Sequence, residues 1–244
     1  MSTRAQTVLT GRGVGKVFGA DELAVRALHP ADIEVRRGEV LVIMGPSGSG
    51  KTTLLSILGL LLRPSEGEVL LHGETLAAAD EESLTRLRRD NIGFVFQHMS
   101  LLSSLSALEN VAMPLLMKGV GSKRRADLAR EMLAAVGLAG KEQAKPRQLS
   151  GGQQQRVAIA RALVTGAAVL LCDEPTALLD AASGRNVLAL LRQSATQMGR
   201  AVVIVTHDER VREFGDRMVE VADGVAGPVR CSREEGESHD DRVA

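Results

Sequence analysis

The chain has no tryptophan and no tyrosine, and only four phenylalanines among its 244 residues. That scarcity excludes the aromatic platforms on which single-stranded nucleic acids stack. Charge of one sign is missing as well: 30 Lys and Arg balance 30 Asp and Glu. Without a cationic excess there is no basis for wholesale binding to a phosphate backbone, so no nucleic-acid partner is expected. The two cysteines, Cys172 and Cys231, are too few and too far apart for a disulfide framework or a metal cluster, which points to a reducing compartment. Cys172, inside an apolar run, reads as core filler. Long hydrophobic runs are absent too. The longest, Leu54 to Leu62, reaches about half of the ~20 residues needed to cross a bilayer, and Met1 to Thr10 lacks the apolar core of a signal peptide. The expectation is a cytoplasmic protein without a membrane span of its own.

What is present begins with Gly45-Pro46-Ser47-Gly48-Ser49-Gly50-Lys51-Thr52. Gly, four free positions, Gly, Lys and a hydroxyl residue make the phosphate-loop pattern. The apolar run Val40 to Met44 before it predicts a buried strand, and Thr53 to Leu58 after it has helical spacing. In that context the loop's N–H groups close on phosphate oxygens at a helix N-terminus. Lys51 is expected to reach the β- and γ-phosphates and the Thr52 hydroxyl to hold Mg²⁺. Residues 45–53, including Thr53, therefore form the expected ATP cradle. A glycine-rich strand–helix turn without nucleotide is the plain alternative.

Further strands are predicted at Val8 to Val17, Ala31 to Arg36, Glu68 to Leu71, Ile92 to Phe96, Ala168 to Cys172 and Ala201 to Val205. Helices are predicted at Glu81 to Arg89, from Leu105 with a break or bend at Pro114, at Lys123 to Val136, from Val157 to Leu163, and at Ala181 to Met198. Alternating helices and continuously apolar strands imply a mainly parallel α/β sheet covered on both faces. Beyond Gly227 the chain turns charged and poor in apolar residues, which reads as a disordered tail.

Two more stretches carry chemistry. Asp173 and Glu174 end a buried strand, and successive strand residues face opposite ways, so the pair can divide two jobs. Asp173 is expected at Mg²⁺ with Thr52, and Glu174 as the base that polarises the attacking water. Taken alone, such a pair also starts loops and helix caps. Leu149-Ser150-Gly151-Gly152-Gln153 precedes a helix and offers a second anion site. A second phosphate site in one small domain suggests a symmetric dimer in which each chain closes over its partner's ATP. A plain N-cap with a glycine turn is the alternative.

The phosphate loop, Gln97, Leu149 to Gln153, Asp173-Glu174, Asp180 and His207 stand in the order and spacing of ABC-type ATPase domains, and the chain resembles that family from about Val8 to Ala226. The resemblance implies a P-loop NTPase core with an N-terminal antiparallel β subdomain. It also implies a helical subdomain, about residues 98–155, inserted in an ATP-binding domain of residues 1–228, with residues 229–244 as the tail. It implies that Gln97 contacts Mg²⁺ and the attacking water, that Ser150 and Gly152 bind the γ-phosphate held by the partner chain, and that Gly151 and Gln153 belong to the same nucleotide-binding run. Asp180 would communicate across the homodimer, and His207 would bond the γ-phosphate beside Glu174. Phe18 stands where the family stacks a tyrosine on adenine, keeping the ring and losing the hydroxyl. Ala177-Leu178-Leu179 is more apolar than is usual there.

Within the family, Leu58 to Leu61, Gly93 to Gln97 and Leu105 to Val111 are similar to the bacterial lipoprotein-release and macrolide-exporter ATPases. That likeness implies a partner permease, an integral membrane protein with a large extracytoplasmic domain. It places this chain at the cytoplasmic face of the inner membrane, driving export or extraction. A cell-division-type ATPase that signals without transport is the alternative, against which Ser49 leans. Soluble DNA-repair or translation ATPases carry long insertions or tandem domains that this chain lacks.

Overall fold

The computed structural model describes residues 6–231. The chain starts as an antiparallel hairpin of β1 (Thr7–Phe18) and β2 (Val25–Arg36), then enters β3 (Val40–Met44) and α1 (Lys51–Leu58). β4 (Glu66–Leu71) and β5 (Glu74–Thr75) return to the hairpin, giving a four-stranded sheet in the order β2-β1-β4-β5. α2 (Glu81–Asn91) and β6 (Ile92–Val95) lead to α3 (Ala107–Met117), α4 (Ser122–Ala135) and α5 (Gly151–Leu163). The core resumes with β7 (Val169–Asp173), α6 (Ala181–Thr196), β8 (Ala201–Thr206) and β9 (Arg217–Ala222), and ends in the short β10 (Val225–Ala226) and β11 (Arg230–Cys231).

The second sheet runs β10-β9-β3-β8-β7-β6, with β11 also pairing with β9. β9, β3, β8, β7 and β6 are mutually parallel. Side-chain parity along these strands builds two cores. Val42, Leu170, Cys172, Val202 and Ile204 face α5, α6 and the helical insert. Ile43, Leu171, Val203, Val205 and Val219 face α1 and the antiparallel sheet. Cys172 is fully buried, and that burial, followed by the neighbouring Asp173 charge, pushes its thiol up to about 12. It is inert core packing, as its sequence context implied.

Several elements differ from the sequence reading. β2 begins at Val25 rather than Ala31, because pairing with β1 extends to Phe18 opposite Val25. Pro114 does not break α3, which is started by a Ser106–Glu109 capping box and runs on to Met117. α5 starts at Gly151, so Gly151 to Gln153 form its first turn instead of preceding the helix. β9 carried Arg217 and Glu220 among its apolar residues and was not foreseen; it completes the sheet beside β3. Of the expected tail, Arg230–Cys231 pair with β9, while residues 232–244 lie outside the described residues. No helix among the described residues is long and apolar enough to cross a membrane.

Candidate nucleotide site

The phosphate loop leaves β3 and turns into α1 through three glycines at positive φ: Gly45 at 153°, Gly48 at 78° and Gly50 at 100°. Gly45 has a second constraint. A Cβ there would lie 2.0 Å from the Val221 carbonyl oxygen of β9 and 2.9 Å from Ser49 Oγ. Only glycine lets the loop pass this close to the neighbouring strand. Pro46, Ser47 and Gly48 are exposed, while Ser49 and Lys51 are buried. Lys51 Nζ donates to the Pro46 carbonyl oxygen at 2.6 Å, so the ammonium sits inside the curl of its own loop. A loop of N–H groups and an ammonium at a helix N-terminus has the chemistry to hold phosphate oxygens.

Thr52 Oγ1, at the first turn of α1, lies 3.1 Å from Asp173 Oδ2 and 3.3 Å from Oδ1. Burial raises the Asp173 carboxyl above its ordinary range, against the Thr52 hydrogen bond, which lowers it. A buried carboxylate facing a hydroxyl is a hard-oxygen donor set, and this pair fits Mg²⁺.

Glu174 is not a simple strand continuation. Its φ is +48°, so the chain turns out of β7 there, at a strain of roughly 1 kcal/mol for a non-glycine residue. The two carboxylates meet different partners, Asp173 facing Thr52 and Glu174 facing Thr206 and His207. Glu174 N still donates to Val205 O at 2.9 Å, holding the turn against β8. Its carboxylate is buried and met by three groups from the end of β8 and the loop after it. Thr206 Oγ1 lies 2.8 Å from Oε2, His207 N 3.2 Å from Oε1, and His207 Nδ1 2.6 Å from Oε1. With Glu174 ionised, Nδ1 is the donor and Nε2 is left for another partner. The His207 side chain is 67% exposed. It lines, with Gly45 and Pro46, a cleft of about 370 Å³ beside the phosphate loop.

The remaining expected residues sit around this centre. Gln97, two residues past β6, is exposed, and the segment after it is anchored from α5 by Arg161, which donates to the Met99 and Ser100 carbonyls at 2.8 Å. Phe18 closes β1 with its ring 44% exposed, and Lys16 Nζ lies 5.4 Å from the ring centroid. The Lys16 ammonium thus lies over the ring as a cation–π partner. Thr53, half-buried in α1, adds its N–H to the helix start. Ser150 caps α5: its Oγ accepts from Gln153 N at 3.3 Å, and Gln153 Oε1 accepts from Ser150 N at 3.0 Å. Asp180 caps α6 by accepting from Ser183 N at 2.9 Å. The apolar Leu178-Leu179 segment packs on the first turn of α5, where a Cβ on Gly152 would meet Leu178 O at 3.1 Å and Leu179 Cδ2 at 3.3 Å.

Sequence reasoning missed two contributors. The Val221 carbonyl of β9 walls the loop, and nothing in the motif announces it. Thr206, one residue past the predicted strand Ala201 to Val205 and in fact its last residue, has no role in the sequence reading, although a hydroxyl just before His207 is a readable signal.

Comparison with known proteins bears on this site directly. The ABC transporter family profile matches residues 28–177. The macrolide export ATP-binding/permease protein MacB of Wolinella succinogenes is 45% identical over 213 residues, which cover 87% of this chain and 33% of that protein. This chain therefore spans about a third of the length of its MacB relatives. An uncharacterized ABC transporter ATP-binding protein of Thermotoga maritima is 46% identical, with 86% of this chain and 90% of that one covered. Among solved structures, the dimeric bacterial ABC transporter cassette MJ0796 superposes with a TM-score of 0.89 at 41% identity, covering 92% of this chain and 99% of that one. The same cassette in a post-hydrolysis state, bound to ADP and Pi, gives 0.88. With the phosphate loop and the buried carboxylate pair in place, these matches show that the chain belongs to the ABC transporter family and has the P-loop NTPase fold.

Proposed function

We propose that this cassette closes with a second copy around two ATP molecules and drives a separate membrane permease in the export or extraction of a substrate. The observation that carries the reading is the convergence at the C-terminal ends of adjacent strands β3, β8 and β7. The loop lysine, the Thr52–Asp173 pair and the Glu174–His207 pair meet there, at the edge where open parallel sheets place their ligands.

In this reading residues 45–53 cradle the phosphates, the exposed Phe18 ring takes the adenine, and Lys51 exchanges the Pro46 carbonyl for β- and γ-phosphate oxygens. Thr52, Asp173 and Gln97 would hold Mg²⁺, which would neutralise charge on the β- and γ-phosphates. Glu174 accepts a proton from the water as the water oxygen bonds to the γ-phosphorus. The bond from that phosphorus to the bridging oxygen breaks, leaving ADP and phosphate. His207, oriented through Nδ1, presents Nε2 to the γ-phosphate. Ser150, Gly151, Gly152 and Gln153 bind the γ-phosphate held by the partner chain, and Asp180 lies at the same junction. The dimeric state of MJ0796 and its ADP- and Pi-bound form support this assembly.

The MacB relatives, named as macrolide export ATP-binding/permease proteins, support an export role coupled to a permease. A large extracytoplasmic domain on that permease, and attachment of this chain to the cytoplasmic face of the inner membrane, are further parts of the proposal. Purification of a Glu174→Gln variant from native membranes with ATP and Mg²⁺ tests the proposal. Recovery of a dimer carrying such a permease is the expected result. A variant that stays monomeric at saturating ATP, or one that brings down only soluble partners, overturns it.

A further inference from the structure

Three groups hold the Glu174 carboxylate, and they differ sharply in how firmly they are themselves held. His207 is two-thirds exposed, so its imidazole is free to follow a ligand. Thr206 is wholly buried as the last residue of β8. Its backbone is fixed in register opposite Met44, the residue that leads into the phosphate loop.

The direction of the Thr206 hydroxyl is also fixed. Asp208 N–H donates to Thr206 Oγ1 at 3.0 Å, which uses a lone pair and leaves the single hydroxyl proton for Glu174 Oε2 at 2.8 Å. Asp208 cannot easily swing away. Its carboxylate accepts from Arg210 N at 3.0 Å and from the Arg210 guanidinium at 2.7 to 3.1 Å. It also lies 3.4 Å from Thr176 Oγ1, two residues past Glu174. The chain from Glu174 through Thr206 and Asp208 to Thr176 therefore closes a loop back on the segment that carries Glu174.

We propose that Thr206 is the positioning residue for Glu174, and that its hydroxyl fixes the plane of the carboxylate while His207 moves with the nucleotide. The inference rests on Glu174 being the base that takes the water's proton. Glu174 sits at positive φ in a turn, where one backbone rotation would re-aim the carboxylate. A buried hydroxyl holding Oε2 removes that freedom at no cost to nucleotide affinity. Misplacing a reacting group by about 1 Å lowers rate by roughly 100-fold, so losing this contact slows the chemical step and leaves binding alone.

The test is steady-state ATPase of the full-length chain, alone and with its permease, as Thr206→Val, Thr206→Ala, Thr206→Ser and Glu174→Gln. Val and Ala are both expected to lower kcat by roughly 10- to 100-fold with the KM for ATP unchanged. Ser, which keeps the hydroxyl, should recover most of the rate. Adding Thr206→Val to Glu174→Gln should cost nothing further, because the group being positioned is already disabled. An unchanged KM in Ala, the smaller variant, doubles as evidence that the fold survives. Wild-type kcat in Val or Ala beside a dead Glu174→Gln overturns the positioning role, as does a Ser variant as slow as Val. A Glu174→Gln variant that turns over normally overturns the assignment of Glu174 itself.

Discussion

Thr52 and Asp173 lie 121 positions apart in the chain, and Thr52 Oγ1 is 3.1 Å from Asp173 Oδ2. The contact joins the start of α1 to the end of β7, across the intervening β8. Thr52→Val keeps the shape and removes the oxygen, so it should raise the Mg²⁺ concentration for half-maximal turnover by roughly 10- to 100-fold. Nucleotide binding without metal should be unaffected. Titrating ATPase rate against Mg²⁺ gives the answer, and a curve superimposed on wild type would remove Thr52 from the metal site.

Ser150 is both the N-cap of α5 and a candidate ligand for the partner's γ-phosphate, and the two roles separate by substitution. Asp caps a helix as well as Ser does but sets a negative charge against phosphate. Ser150→Asp should therefore melt within a few degrees of wild type while failing to form an ATP-dependent dimer in the Glu174→Gln background. ATP affinity of the monomer should not change. Light scattering with and without ATP reads the dimer, and dimerisation at wild-type ATP concentrations would show that Ser150 only caps its helix.

Gly45→Ala places a Cβ 2.0 Å from the Val221 carbonyl oxygen at a φ of 153°. Backbone on both sides has to move, so the variant should lose ATP binding and also lower the melting temperature, by an amount corresponding to about 2–4 kcal/mol. Lys51→Ala, in contrast, should lose nucleotide while melting near wild type. A Gly45→Ala chain that binds ATP normally would contradict the tight approach of β9.

Hydrogen bonds from Ser83 and Ser183 hold the carboxyls of the caps Asp80 and Asp180 below their ordinary value of 3.8. As pH falls, the unfolded chain takes up these protons before the folded chain does. Their contribution is therefore present above that value and fades as pH drops through the lowered folded values. Replacing both by Asn keeps the caps and removes the titrations, so the melting temperature should fall less steeply below about pH 4 than in wild type. Parallel melting curves for the two proteins would assign acid loss to other carboxylates.

The parts legible in the sequence were those built from contiguous residues. Val40 to Met44 before the glycines and Val169 to Cys172 before Asp173 are apolar without interruption, as strands buried on both faces must be. Each therefore announced both its conformation and the place where its chemistry would emerge. Gly45 to Thr52 and Leu149 to Gln153 are shaped by local backbone torsions and a nearby helix start, so their turns could be read in isolation, although α5 begins earlier, at Gly151, than its apolar spacing predicts. Hidden from that reading was β9, whose Arg217 and Glu220 interrupt the apolar pattern. Arg217 is buried all the same, 3.1 Å from Glu39 Oε2, an arrangement that only packing makes possible.

The chain by itself determined that strands, glycine turns and helices would alternate, and that hydroxyl, amine and carboxylate groups would sit at strand ends. Those features depend on torsion preferences and on the period of apolar residues, which act over a few positions. Tertiary structure alone decided which of those groups meet. It set Val221 O as the wall behind Gly45, turned Glu174 out of β7 into the left-handed region, and brought Thr206 Oγ1 to Glu174 Oε2, 32 positions away. Those relations are set by the lateral order of β9, β3, β8 and β7, which pairing and burial select together and no stretch of sequence contains.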